Sequence, residues 1–322
     1  MGKNILEVKE LKTYFFTRRG VVKAVDGLSF TIEEGETLGL VGESGCGKSI
    51  TCLSILRLVP KPAGRIVAGE ILMNGDNLLA KTDKEMRQVR GKQISMILQE
   101  PMTSLNPVFT IGNQVAEPIK LHQKLDRKAV WEKVKEMLSL VKIPSPEVRI
   151  REYPHQMSGG MRQRIVGAMT LSCQPQLLIA DEPTTALDVT IQAQFLKLLK
   201  DIQRDSKLTM IVVTHDFGIV ARVCDRVAVM YAGKVVENAP IRDLFNNPRH
   251  PYTIALMESL PKMEKKADRL FSIEGQPPDL RDLPPGCRFA PRCPQVKEIC
   301  QREFPPQSVI GDRHSLSCWL AS

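Results

Sequence analysis

The chain has 322 residues, of which 43% are hydrophobic and 25% charged, as is ordinary for a globular protein in water. No apolar run is long enough to span a bilayer, and we expect no signal peptide in residues 1–20, which are polar and basic. The net charge of +9 fits a solvated basic surface. Because no aromatic-rich RNA-binding signature accompanies this charge, we expect no nucleic-acid partner and a cytosolic chain, unless a partner holds it at a membrane.

Residues 5–236 read as alternating strands and helices, which predicts an α/β fold. Short apolar runs at 38–41, 177–180 and 210–213 have the composition of strands buried on both faces. Each run ends in a polar motif, and ligands bind at the carboxyl ends of the strands in open α/β sheets. No internal repeat is visible, so we expect one copy of this domain rather than a tandem pair.

A glycine-rich motif follows the first of these runs and fits the phosphate-binding P-loop pattern; it consists of Gly42, Glu43, Ser44, Gly45, Cys46, Gly47, Lys48 and Ser49. The glycines let backbone N–H groups turn toward phosphate oxygens, and the next helix points the positive end of its dipole at the same anion. The motif predicts that Lys48 reaches the β- and γ-phosphates of ATP and that Ser49 ligates Mg²⁺. Cys46 is interpreted as a loop filler, not a nucleophile.

Two acids, Asp181 and Glu182, close the run at 177–180. An apolar run that ends in two acids is by itself weak evidence for a nucleotide site. Together with a P-loop in the same chain, it is strong evidence for a Walker B arrangement. We predict that Asp181 holds Mg²⁺ through water and that Glu182 is the general base that polarises the attacking water.

Two further polar residues end predicted strands at the same sheet edge. Gln99 ends the run at 94–98, and His215 follows the run at 210–214. Alone, such a glutamine is normally a surface residue and such a histidine is usually structural. Beside a P-loop, we predict that Gln99 contacts Mg²⁺ and the attacking water. We predict that His215 steadies the charge that develops on the γ-phosphate.

Residues from about 101 to 171 differ in composition and predict a helical insertion. Helix formers dominate at 127–141, and prolines interrupt the stretch. Within it, Ser158, Gly159 and Gly160 provide a hydroxyl and two glycine amides at a helix start, a second anion cradle. One domain cannot use both cradles on one nucleotide. We therefore predict a head-to-tail dimer in which this motif caps the ATP held by the partner's P-loop.

The segment Met157-Ser158-Gly159-Gly160-Met161 resembles the signature of ABC proteins, with Met161 where the family usually has glutamine. The resemblance covers the chain up to about residue 236 and implies a P-loop NTPase cassette with a helical subdomain. It implies that Gln99 is the Q-loop residue, that His215 is the switch histidine and that residues 186–188, ending in Asp188, are the D-loop. It also implies that Phe15 stacks on adenine, with Tyr14 as the competing choice.

The segment Asn247-Pro248-Arg249-His250-Pro251-Tyr252-Thr253 resembles the His-Pro-Tyr segment of oligopeptide, dipeptide and nickel importer ATPases, as do residues 99–107 and 158–164. Alone, His-Pro-Tyr is simply a proline-bounded helix start. The resemblance implies a cassette at 1–248, with its helical subdomain at about 101–171, and a C-terminal domain at 249–322. It also implies a second ABC ATPase subunit, identical or different, two membrane permease subunits and an extracytoplasmic binding protein. The chain would then lie on the cytoplasmic face of the membrane, with peptide favoured over nickel as cargo.

A different class of function stays open, namely a soluble ABC ATPase that acts on ribosomes or in DNA repair. It would explain the basic charge. Such proteins usually carry two cassettes or a long coiled-coil insertion, and the chain shows neither.

The C-terminal part is proline-rich, with a charged linker expected at 262–266, and it contains four of the eight cysteines. Cys287, Cys293, Cys300 and Cys318 follow the spacing C-x5-C-x6-C-x17-C. In a reducing cytosol, such a cluster of cysteines favours a metal site over disulfide bonds. Four thiolates are suitable ligands for zinc or for an iron–sulfur cluster. His314 is an alternative zinc ligand, and free or disulfide-forming thiols remain a third reading.

In the peptide-importer group, similar cysteines are associated with a 4Fe–4S cluster, so the resemblance implies this cofactor. We expect such a cluster to act as a structural staple for a segment with few large apolar residues. Because its ligands all follow the cassette, we also expect it to lie away from the ATP site.

Overall fold

The computed structural model describes residues 2–99, 104–185, 187–260 and 272–320. The described strands are β1 (Asn4–Thr17), β2 (Gly20–Glu33), β3 (Thr37–Val41), β4 (Gly64–Met73), β5 (Asp76–Asn77), β6 (Ile94–Ile97), β7 (Leu177–Asp181), β8 (Thr209–Val213), β9 (Arg226–Tyr231), β10 (Lys234–Pro240), β11 (Ser308–Gly311) and β12 (His314–Leu316). The described helices are α1 (Lys48–Ile55), α2 (Asp83–Val89), α3 (Ile111–His122), α4 (Arg127–Leu140), α5 (Pro146–Arg149), α6 (Gly159–Leu171), α7 (Val189–Ser206), α8 (Phe217–Val223), α9 (Ile241–Asn246), α10 (Pro251–Glu258) and α11 (Glu298–Arg302). None of these helices is both long enough and apolar enough to cross a membrane.

The chain divides into two compact units, each built from several segments. The first unit contains Met1–Ile5, Ile32–Thr37 and Ala80–Val213, and the second contains Leu6–Thr31, Leu38–Leu79 and Thr214–Ser322. The predicted division into residues 1–248 and 249–322 cuts the chain once and stays a prediction.

In the first unit, β6, β7 and β8 form a parallel arrangement with β7 in the middle. Every residue of β7 and β8 is buried, as expected for apolar strands covered on both faces. The strands predicted at 94–98, 177–180 and 210–213 are therefore confirmed.

The predicted helical stretch contains α3 to α6, although its first residues, 101–103, lie outside the described residues. Thr110 and Asp126 cap α3 and α4, each accepting a hydrogen bond from a backbone N–H of the first turn. The apolar faces of α3, α4 and α6 share one buried core with α7, which fixes the start of α6 on the surface of this unit.

The second unit contains two groups of strands. In one, β3 runs parallel to β9, and β10 and β12 extend the group antiparallel, with β11 at its edge. In the other, β2, β1, β4 and β5 form an antiparallel sheet, in that order. This antiparallel sheet departs from the strand–helix alternation expected over residues 5–236.

The C-terminal segment has an apolar core that its composition did not predict. The rings of Tyr231, Tyr252 and Phe289 pack together with centroid distances of 4.6 to 5.3 Å. Tyr231 ends β9 and Tyr252 belongs to α10, so the aromatic cluster joins the cysteine segment to the rest of its unit.

Candidate functional site

The P-loop is the tight turn between β3 and α1. Gly42 and Gly47 have φ values of +151° and +104°, and a Cβ at these positions would lie 2.2 Å and 2.3 Å from backbone oxygens. Both positions therefore require glycine. The Lys48 ammonium donates to the carbonyl oxygens of Gly42 and Glu43 at 2.8 Å and 2.9 Å, which places its charge across the loop. Gly47 is the N-cap of α1, and Ser49 lies in the first turn of that helix.

The remaining predicted P-loop residues, Ser44, Gly45 and Cys46, complete the turn. Ser44 and Gly45 are exposed, whereas Cys46 is buried. Burial raises the pKa of the Cys46 thiol, although the nearby Lys48 opposes this change. A buried, protonated thiol agrees with the interpretation of Cys46 as a loop filler.

Glu43 of the P-loop is held by two residues that the sequence analysis did not assign to the nucleotide site. Its backbone N–H donates to the Tyr252 hydroxyl at 2.9 Å. Its carboxylate accepts two hydrogen bonds from the Arg292 guanidinium, at 2.7 Å and 3.0 Å. These hydrogen bonds raise the pKa of Arg292 further above its usual range.

Arg292 immediately precedes Cys293, so the cysteine segment contacts the P-loop directly. The expectation that the cluster itself lies away from the ATP site stays a prediction. The residue in the sequence that could have indicated this contact is Tyr252 of the His-Pro-Tyr segment. We interpreted that segment only as a feature shared with a family.

The predicted catalytic acids lie at the end of β7 in the first unit. Asp181 is buried and ends the strand. Glu182 follows in the left-handed region with φ +46°, which is uncommon for a residue other than glycine and is found often at functional sites. Gln99 donates to the Glu182 carboxylate at 3.3 Å, and the Thr185 hydroxyl donates to the same oxygen at 3.1 Å. The structure thus brings Gln99 and Glu182 together, as expected for neighbouring parallel strands.

The signature residues begin α6. Ser158 is exposed and is the N-cap of the helix, where its hydroxyl accepts a hydrogen bond from the Met161 N–H. Gly159 and Gly160 form the first turn. A Cβ on Gly160 would lie 2.7 Å from a methyl group of Ile191, so glycine is needed there for packing against α7.

Two further predicted residues, Asp188 and His215, lie in different units. Asp188 is the N-cap of α7, and its carboxylate accepts the Ile191 N–H at 2.9 Å, so it has a structural role at the start of this helix; its place in a D-loop stays a prediction. Ala186 of that motif, and residues 100–103 after Gln99, lie outside the described residues. His215 is exposed just after β8, and the next residue, Asp216, caps α8.

The two candidates for adenine stacking differ in their contacts. The Tyr14 hydroxyl donates to Asp26 at 2.6 Å, and Arg288 forms an ion pair with the same carboxylate. Burial and this hydrogen bond raise the pKa of Tyr14 to about 12. Phe15 is half-buried and makes no such polar contact, which favours it over Tyr14; its role stays a prediction.

The four C-terminal cysteines converge. Cys287, Cys293, Cys300 and Cys318 are free thiols and line one small cavity together with His250. Burial raises the pKa of Cys287 to about 11, with further increases from Cys300 and Cys318.

The described residues contain no group of three or more His, Cys, Asp or Glu side chains already arranged to hold a metal ion. His314, the alternative zinc ligand, bonds instead to the buried Glu237 at 2.9 Å. What the described residues show is limited to four thiols that line one cavity, while His314 is engaged elsewhere.

Comparisons with known proteins cover nearly the whole chain. Two family models match, ABC transporter at residues 25–185 and Oligopeptide/dipeptide transporter, C-terminal region, at residues 236–300. The Dipeptide transport ATP-binding protein DppD of Bacillus subtilis (strain 168) is 52% identical over 99% of this chain and 95% of its own length. The Oligopeptide transport ATP-binding protein OppD of the same strain is 49% identical over 98% of this chain and 88% of its own length.

Among solved structures, the dimeric structure of MJ0796, a bacterial ABC transporter cassette, is similar with a TM-score of 0.66 and 25% identity. The match covers 74% of this chain and 99% of that one. It confirms the predicted α/β cassette architecture.

Proposed function

The chain belongs to the ABC transporter ATP-binding proteins, in the branch that carries the oligopeptide/dipeptide C-terminal region, and we propose that its ATPase activity drives the import of peptides. Support for the cargo comes from relatives that are about half identical over nearly the whole chain and are named for dipeptide and oligopeptide transport. The same match does not favour a soluble ribosome- or DNA-directed ATPase, or nickel as the cargo. The exact peptide is set by subunits other than this chain.

For hydrolysis, we propose that Glu182 is the general base that accepts the proton of the attacking water. The contact that carries this assignment is the hydrogen bond from Gln99, which holds the carboxylate and leaves an amide oxygen to orient the water. The water attacks the γ-phosphorus, the bond to the β-phosphate oxygen breaks, and ADP and phosphate leave.

The remaining predicted residues bind nucleotide and metal. The P-loop amides and Lys48 hold the β- and γ-phosphates. Ser49 and Gln99 supply oxygens of the kind that Mg²⁺ prefers, and Asp181 would hold the ion through water. His215 donates to the γ-phosphate. When bound, Mg²⁺ neutralises charge on the phosphates. We propose that Phe15 stacks on the adenine.

We propose that two such subunits, identical or different, bind ATP head to tail. The N-cap Ser158 of α6 is exposed, and the half-buried Gly159 and Gly160 follow it, so a hydroxyl and glycine amides are available for an anion site shared with a partner. The similar cassette MJ0796 has a dimeric structure, which supports this arrangement. The dimer would lie on the cytoplasmic face of the membrane beneath two permease subunits, with a binding protein outside.

We further propose that Cys287, Cys293, Cys300 and Cys318 hold a 4Fe–4S cluster. All four thiols line one cavity, and four thiolates are the favoured ligands of such clusters. When bound, the cluster would cross-link four points of a loop-rich segment and so stabilise it. Zinc is the alternative occupant, to be distinguished by metal content.

Co-purification from membranes tests the cargo proposal. The chain is purified from membranes with its endogenous partners, and ATP hydrolysis is measured with a dipeptide, an oligopeptide or Ni²⁺ and the cognate binding protein. We expect permease subunits to co-purify and peptide to stimulate hydrolysis. Co-purification of ribosomes or DNA in place of permeases would contradict the importer assignment, and stimulation by Ni²⁺ alone would contradict the peptide cargo.

A further inference from the structure

His250, the histidine of the His-Pro-Tyr segment, has a ring whose protonation is set by the fold. It is the N-cap of α10, and its Nδ1 accepts a hydrogen bond from the Tyr252 N–H at 3.0 Å. A ring nitrogen that accepts a hydrogen bond carries no proton, so the proton of the ring is on Nε2. Nε2 is therefore a hydrogen-bond donor.

This donor has no partner among the described residues, although it is buried. His250 is 1% exposed, and its Nε2 makes no hydrogen bond to any other described residue. Burying an N–H without an acceptor is unfavourable, so most such groups in folded proteins have a partner. The ring lines the same cavity as the four cysteine thiols, which indicates that the missing acceptor belongs to the contents of this cavity.

The ring is held in this orientation by its surroundings. The His250 N–H donates to the Glu237 carboxylate at 2.9 Å, and Glu237 is fully buried in β10. The ring of Phe289 packs beside the imidazole with a centroid distance of 6.0 Å. With backbone and Nδ1 both bonded, the imidazole is a preorganised donor.

We infer that His250 donates a hydrogen bond from Nε2–H to a sulfur atom of the group held by the four cysteines. This inference rests on the iron–sulfur cluster proposed above. Hydrogen bonds to sulfur tune the reduction potential of such clusters, because they stabilise the more negatively charged reduced state more than the oxidised state. His250 is thus a positioning and tuning residue, and its N–H···S bond raises the midpoint potential of the cluster.

Three variants of the full-length chain, prepared without air, test this assignment. His250→Phe keeps a ring but removes the donor, and His250→Asn keeps a helix cap but is too short to reach the cavity. The matched control is Thr253→Val, since Thr253 is also on α10 and has a buried hydroxyl without a partner among the described residues. Midpoint potentials are measured by redox titration followed by electron paramagnetic resonance, together with iron content.

We expect both His250 variants to have a more negative midpoint potential than the wild type, whereas Thr253→Val is unchanged. Equal potentials in all proteins, with iron retained, would overturn the inference and leave the cluster proposal intact. A wild-type protein without iron would overturn both.

If the variants do not fold, a measurement on the wild-type protein tests the same hydrogen bond. Pulsed paramagnetic resonance on the reduced, ¹⁵N-histidine-labelled protein is expected to show a weak nitrogen coupling from a hydrogen-bonded imidazole. No coupling, or the strong coupling of a nitrogen bonded to iron, would overturn the hydrogen-bond assignment.

Discussion

Replacing Arg292 with methionine removes the guanidinium that pairs with Glu43 of the P-loop while keeping most of the apolar stem. The side chain of Arg292 is 4% exposed and that of Glu43 is 27% exposed. Breaking a fully buried ion pair costs about 3–5 kcal/mol, whereas an exposed pair contributes about 0–1 kcal/mol. Because Glu43 is partly hydrated, we expect an intermediate loss of about 2 kcal/mol in the free energy of unfolding.

The same substitution is expected to weaken ATP binding. Without Arg292, the carboxylate of Glu43 is an uncompensated negative charge within the loop that binds the triphosphate. We expect the Kd for ATP to rise about tenfold, which corresponds to about 1.4 kcal/mol. Urea denaturation without nucleotide measures stability, and titration calorimetry measures the Kd.

Arg281→Met is the matched control for Arg292→Met. It also removes a guanidinium from the C-terminal segment, but Arg281 pairs with Asp279 on the surface, where both are exposed. We expect neither stability nor ATP affinity to change. Adding Glu43→Gln to Arg292→Met removes the uncompensated charge and should recover most of the ATP affinity. Wild-type stability and affinity in Arg292→Met, or no recovery in the double variant, would contradict a role for the Arg292–Glu43 pair in ATP binding.

Three other predictions test the dimer, the ion pair of Asp26 and the cysteine site. Ser158→Arg should abolish hydrolysis while the isolated subunit binds ATP with unchanged affinity, measured by calorimetry; equal loss of affinity in the monomer would contradict a shared site. Burial alone would raise the pKa of Asp26, but the hydrogen bond from Tyr14 and the charge of Arg288 outweigh it and lower this pKa. This pair therefore stabilises the fold above pH about 4, and the contribution is lost as pH falls through the lower folded pKa. Asp26→Asn should thus lower the urea midpoint at pH 7 and reduce the difference between pH 7 and pH 3; an unchanged midpoint at pH 7 would argue against it. Anaerobic protein should be brown, with broad absorbance near roughly 400 nm and about four irons per chain, and Cys287→Ser should lose this colour and loosen the C-terminal segment while ATP binding is spared. Colourless protein with stoichiometric zinc would assign the site to zinc.

The parts of the fold that the sequence predicted are those with a strong local pattern. β7 and β8 are runs of apolar residues, buried throughout, and α4 is a continuous run of helix formers. In contrast, β1 and β2 mix exposed and buried residues without clean alternation, and the pairing of β1 with β4 shifts register near Lys9 and Lys12. These strands are stabilised by pairing with their neighbours in the sheet. The local sequence pattern does not specify that pairing.

The candidate site shows the same division. The contact between Gln99 and Glu182 follows from the rule that parallel strands present their carboxyl ends at one edge. Glu43 and Arg292 form an ion pair although they are 249 positions apart in the sequence. No local sequence pattern around either residue predicts the other as its partner. Such a pair depends on tertiary packing, so it needed the structure.

Glu182→Gln tests whether this chain hydrolyses ATP with Glu182 as the general base. The variant keeps the shape of the side chain and leaves the P-loop unaltered, so we expect ATP to bind with the same Kd within about twofold. Turnover should fall by roughly 10²- to 10⁴-fold, the usual contribution of a general base. The ATP-bound dimer should accumulate in size-exclusion chromatography because hydrolysis no longer reopens it. Glu132→Gln, at an exposed glutamate of α4, is the control and should hydrolyse ATP at the wild-type rate. Near-normal turnover by Glu182→Gln would contradict the assignment of the base.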